Sequence, residues 1–152
     1  MAKPPRFDGL TPQTELTHAA AVILGTLHEQ FLSHAPEALR GDDVEAVHDM
    51  RVALRRVRTA LRTFGACFPR RRIGAYVQTA RHVARRLGAV RDADVHLAYL
   101  RSALAGASTR EQPGVQFAIE ALAARRRRAL AEFAIEFSQY DRDELGRLVE
   151  GK

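Results

Sequence analysis

The chain has 152 residues, enough for one domain that buries its own core, and its single cysteine, Cys67, excludes an internal disulfide framework and suits a reducing compartment. Its longest apolar run, residues 19–24 continuing to Leu27, is too short for the roughly 20 residues of a membrane span, and the opening MAKPPRFDGL lacks the apolar stretch of a targeting signal, so the expectation is a cytoplasmic protein. The net charge of +6 is focused: residues 46–91 hold twelve arginines against one acid, Asp49, while residues 1–45 carry three basic and seven acidic residues and residues 92–152 nine basic and ten acidic. A uniform surplus would speak only of solubility, whereas a focused one makes a local field that draws anions.

In chain order, residues 1–11, with Pro4, Pro5 and Gly9, read as a flexible lead, and residues 12–150 as a single α-helical domain. Thr11-Pro12 reads as an N-cap followed by proline at the first helical position, and Leu16, Ala20, Ile23, Leu27 and Phe31 keep helical spacing, so a first helix is expected over about 12–35. Gly41-Asp42-Asp43 breaks the chain, with Asp42 or Asp43 capping a second helix that runs to about Phe64. Residues 65–69 form a turn ended by Pro69. A third helix is expected over 70–87, a break at Gly88, and a further helix, capped by Asp92, over 92–105. Another helix covers 114–138, and Asp141 with Glu144 makes a capping box for a last helix over 142–150. No stretch sustains the alternation of a half-buried strand, so the expected fold is an all-α antiparallel bundle of about four long helices with short ones added.

The second helix carries the most informative pattern. Val47, Met50, Leu54, Val57, Leu61 and Phe64 follow a 3-4-3-4-3 spacing, a seam that faces a core. His48, Arg51, Arg55, Arg58 and Arg62 repeat that spacing one residue later, about 100° round the helix, and so form a straight cationic stripe roughly 21 Å long. Like charges three and four residues apart repel by a few tenths of a kcal/mol per pair, and a helix built for stability alone would interleave glutamates. A solvated surface face is the plain alternative, and genomic base composition accounts for arginine over lysine, but neither accounts for the clustering. Arg81, Arg85 and Arg86, with His82 beside them, face the same side of the neighbouring third helix, and Arg70, Arg71 and Arg72 lie at the turn. Guanidinium groups fit phosphate bidentately, so a groove lined by them suits an anion that carries phosphate groups, unless a neighbouring helix supplies the counterions. In the run 125–128 consecutive residues diverge round the helix, which leaves Arg125 and Arg128 as secondary candidates.

The run His48-Asp49-Met50-Arg51-Val52-Ala53-Leu54-Arg55-Arg56-Val57-Arg58, followed by Leu61 and Phe64, resembles the signature of the CHAD family, the conserved histidine α-helical domain. Leu87-Gly88-Ala89-Val90-Arg91-Asp92-Ala93-Asp94-Val95 matches a second element of that family. The resemblance covers about residues 10–150 and implies a helical bundle that binds inorganic polyphosphate, associates with polyphosphate granules, and uses His48, Arg51, Arg55, Arg56 and Arg58 as basic residues. Family members usually have two similar helical halves and often accompany a triphosphate-tunnel domain. This chain resembles the first half, whose surface a homodimer or a second half would complete.

His48 has no ligand partner three or four residues ahead of it, and Asp92 and Asp94 point apart on a helix, so no metal site and no other cofactor is expected; one of the two aspartates is expected to pair with an arginine of the second or third helix. Catalytic motifs are absent: no Gly-x-Ser-x-Gly, no phosphate-binding glycine loop with Lys-Ser/Thr, no His-Glu-x-x-His. The expectation is a non-enzymatic polyphosphate-binding module. Nucleic acid is the alternative partner and an acidic protein a third. Single-strand binding calls for stacked aromatics, and the basic block offers only Phe64, Phe68 and Tyr76.

Overall fold

A computed structural model describes residues 4–149. Six helices follow one another: α1 Leu16–Ser33, α2 Ala35–Arg40, α3 Val44–Phe64, α4 Arg70–Gly106, α5 Gln112–Ser138 and α6 Glu144–Val149, with a 3-10 turn at Gly65–Cys67. No strand occurs among the described residues, and the fold is an all-α bundle with four long helices of 18, 21, 37 and 27 residues. α3 packs between α1 and α4, α5 runs along α4, and α6 closes on α1 and α4.

α3 forms as its sequence dictates. Asp43 caps it, its side chain accepting from the Glu45 backbone N–H at 2.8 Å. The seam Val47, Met50, Leu54, Val57 and Leu61 is buried, and Ala46, Ala53 and Ala60 widen it, so that α1 approaches one flank and α4 the other. The 3-10 turn, an extended Phe68 and Pro69 then reverse the chain into α4.

Four expectations are corrected. α1 begins at Leu16, not near residue 12: the Thr11 backbone N–H donates to Thr14 Oγ1 at 2.9 Å and the Thr14 N–H to the Thr11 carbonyl at 3.0 Å, a closed hydroxyl turn that competes with helix. α2, with Pro36 in its first turn, fills what reads as a loop, and it ends at Gly41, whose φ of 74° is the left-handed conformation that favours glycine. α4 does not stop at Gly88. A glycine inside a helix costs only about 1 kcal/mol, and fully buried Leu87 and Val90 on either side hold the helix through it. Asp92 is therefore an exposed residue in mid-helix rather than a cap, and the carboxylate that pairs is Asp94, with Arg126 of α5 rather than with the second or third helix. The expected end of the last helix at residue 150 lies outside the described residues.

The long α4–α5 hairpin is pinned by charge and by rings. Asp94 is 4% exposed and its Oδ1 accepts from Arg126 Nε. Phe31, Phe137 and Tyr140 pack edge to face and stacked, Phe133 lies tilted against Phe137, and His28 joins the cluster against Phe31, Tyr76 and Tyr140. Tyr76 and Tyr140 share a hydrogen bond at 3.0 Å, and the Tyr140 hydroxyl lies 3.1 Å from His28 Nε2. Burial lowers the His28 pKa to about 4, against a smaller opposite pull from Asp143, and raises that of Tyr140 to about 12. His28 is thus neutral, with Nε2 free to accept from the Tyr140 hydroxyl.

Candidate polyanion-binding groove

α3 and α4 form a hairpin, and the basic stripe of α3 runs along its outer flank. Where α4 comes alongside, Arg55, Arg58, Arg62 and Arg81 surround a groove of about 480 Å³. Leu61, Val77 and Thr59 complete its lining, and no acid takes part. The spacing explains the convergence: Arg55, Arg58 and Arg62 lie within about 60° of one another round α3, one step from buried Leu54, Val57 and Leu61. Burying the seam therefore fixes the direction of the arginines. All four guanidinium-bearing residues are exposed and have neither a hydrogen bond nor an ion pair among the described residues. Arg51, also exposed and unpaired among them, extends the stripe towards half-buried His48 at the start of α3.

The other sequence candidates go elsewhere. Arg56 lies on the α1 side, its Nη1 donating to Gln30 Oε1 at 3.3 Å. Arg86 faces α5, where it pairs with Glu132 at 2.9 Å and with Glu136. His82 Nε2 lies 2.5 Å from Glu136 Oε2, and Arg85 Nη2 donates to His82 Nδ1 at 2.9 Å. The hydrogen bond from Arg86, and then that from His82, hold the Glu136 carboxyl below the ordinary glutamate range. Arg125 and Arg128 are exposed on α5, outside the groove.

Of the α4 cations, then, Arg81 reaches the groove, while Arg86 is neutralised within the fold. Reading single helices cannot find Glu132 and Glu136, but their four-residue spacing on α5 is the signal of an acidic stripe matched to a neighbour. Thr59, Leu61 and Val77 were equally missed as groove residues, because nothing in composition marks a floor.

Glu45, His48 and Asp49 bring one ligand atom each within 4.8 Å of one another, the grouping among the described residues that could hold a divalent cation. Glu45 stands three residues before His48, so the two share one face of α3. The trio lies about 10 Å along α3 from Arg55.

No helix among the described residues is long and apolar enough to cross a membrane. No curated protein and no solved structure matches the chain. The model of one family, the CHAD domain, matches residues 22–145, which span the groove, its flanking helices and the aromatic core, and the chain belongs to that family.

Proposed function

We propose that the α3–α4 groove binds inorganic polyphosphate and that the protein acts as a non-catalytic polyanion-binding module. The observation that carries this reading is four guanidinium groups round one groove, with no acid in its lining and no counterion for them among the described residues. Successive phosphates of a linear chain would bridge Arg55, Arg58, Arg62 and Arg81, and Arg51 and His48 would continue the track along α3. Membership of a family associated with polyphosphate supports the same ligand. The groove has no carboxylate with which to hold a metal against the phosphates, as phosphoryl transfer usually requires. Granule association, and completion of the surface by a second copy or a second half, belong to the same proposal.

Nucleic acid fits less well. Phe68 is 7% exposed and Tyr76 fully buried, so of the three rings in the basic block only half-buried Phe64 can meet a base. Competition between long-chain polyphosphate and short single-stranded DNA or RNA at equal phosphate concentration tests the choice. Polyphosphate is expected to stay bound, and displacement by the oligonucleotide would reverse the preference.

A further inference from the structure

A second recess opens on the other flank of α3. It has a volume of about 560 Å³ and is lined by Pro5 of the lead, Leu27 of α1, and Val52, Ala60, Thr63 and Phe64 of α3, with Arg55, Arg56 and Thr59 at its edge. That volume lies within the roughly 300–1,000 Å³ of small-molecule sites. Its chemistry differs from that of the groove, being predominantly apolar: Leu27 and Ala60 are core residues, and the Thr63 hydroxyl is already engaged, donating to the Thr59 carbonyl at 3.1 Å.

The two sites adjoin. Arg55 and Thr59 line both the recess and the basic groove. Inorganic polyphosphate has no apolar part and would leave the recess to water. A ligand that fills both needs a phosphate chain at one end and a compact apolar group at the other. The walls narrow the choice further: Phe64 brings a ring on which a heteroaromatic base can stack, and Arg55, shared with the groove, brings a guanidinium that can stack on the same base, which favours a flat aromatic group over an alkyl chain. A single half-buried ring suits one base, not a tract of bases. We infer that this protein has a nucleoside-polyphosphate subsite, with the base in the Leu27–Val52–Phe64 recess and the phosphates on Arg55, Arg58, Arg62 and Arg81. The inference rests on the polyanion reading of the groove.

The test compares ATP with inorganic tripolyphosphate on the full chain, without divalent cations, by calorimetry and by saturation-transfer NMR. Both should bind, ATP roughly tenfold more tightly, in line with the free energy of stacking one base. Irradiation of protein methyl groups should reach the adenine protons. Phe64→Leu, which removes the ring, and Thr63→Leu, which narrows the recess from the surface, should each erase most of the ATP advantage and leave tripolyphosphate binding unchanged. Equal affinities with no transfer to the base would overturn the subsite and leave the polyanion reading standing; a recess filled by a segment of this chain or by a second copy would give that result. Binding of neither ligand would overturn both.

Discussion

Removing two guanidiniums from the groove should weaken polyanion binding and, at the same time, make the protein slightly more stable. Arg58 repels Arg55 and Arg62 along one face of α3, and Arg62 faces Arg81 across the groove; none of them has an internal counterion among the described residues. In Arg58→Ala/Arg62→Ala those repulsions vanish, returning a few tenths of a kcal/mol per pair, and alanine is the best helix former. Tm should rise by about 1–3 °C for a chain of this size. Binding should move the other way. By analogy with flexible single strands, each engaged charge adds about −0.7 to the slope of log affinity against log salt, so the four groove arginines with Arg51 give roughly −3.5 and the three left in the variant roughly −2. Between about 50 and 200 mM salt the parent should therefore lose roughly 130-fold in affinity for long-chain polyphosphate and the variant only about 18-fold. Titration at several salt concentrations, beside a calorimetric melt, measures both signs. Arg86→Ala is the control: its guanidinium is held by Glu132 and Glu136, so it should leave the slope alone and lower Tm a little. A double variant with an unchanged salt slope, or one that melts several degrees early, would refute the assignment of these arginines as unpaired ligand groups.

Three further outcomes are expected. His28 has its folded pKa lowered from 6.5 to about 4, so above pH 6.5 it contributes no pH dependence; as pH falls to about 4 the unfolded chain takes a proton that the fold refuses, and stability declines by on the order of 2–3 kcal/mol. Melts of His28→Gln across that window should lack this part of the decline, and an identical pH profile would contradict the burial of a neutral imidazole. Asp94→Asn leaves half-buried Arg126 without its counterion and should cost about 3 kcal/mol in chemical unfolding, most of it recovered in Asp94→Leu/Arg126→Met, since an apolar pair replaces a largely buried ion pair at little loss. Gly41→Ala forces a β-carbon into the left-handed conformation and against the Leu130 side chain, and should lower stability by about 1–2 kcal/mol, read as an earlier melt with polyphosphate binding intact.

The bundle was legible because its helices are amphipathic at the scale on which they pack. The 3-4 spacing of Val47 to Phe64 sets the core face of α3, and Asp43 sets its start. What resisted reading was decided by contacts that a local pattern does not contain. Gly88 has the form of a helix stop, yet Leu87 and Val90 are buried against the rest of the bundle and carry α4 onwards. Thr11-Pro12 has the form of a helix start, yet two threonine hydroxyls close on each other first. In the candidate site, the α3 stripe was legible for the same reason as the seam, since one dictates the other. The fate of the α4 cations was not, because it depends on Glu132 and Glu136, some 50 residues away in sequence.

The contrast between the two sides of α4 bears on how a bare cationic groove persists. Arg81 and Arg86 are five residues apart, about 140° round the helix, so one helix presents a paired arginine to α5 and an unpaired one to α3. Among the described residues, the fold therefore sets acids against Arg86 and none against Arg81. The cost of leaving the other side bare is small beside what holds α3 in place. Val47, Met50, Leu54, Val57 and Leu61 are almost fully buried, and at roughly 1.5–3 kcal/mol for each large apolar side chain their burial outweighs the few tenths per repelling pair by several-fold, even after the compactness of a real unfolded chain is allowed for. Because the same helix carries the seam and the stripe one residue apart, the core energy that orders α3 also aims its arginines. Under the proposed function, an anion arriving in the groove would find the roots of these side chains already aimed at it and would have to order only their exposed guanidinium ends.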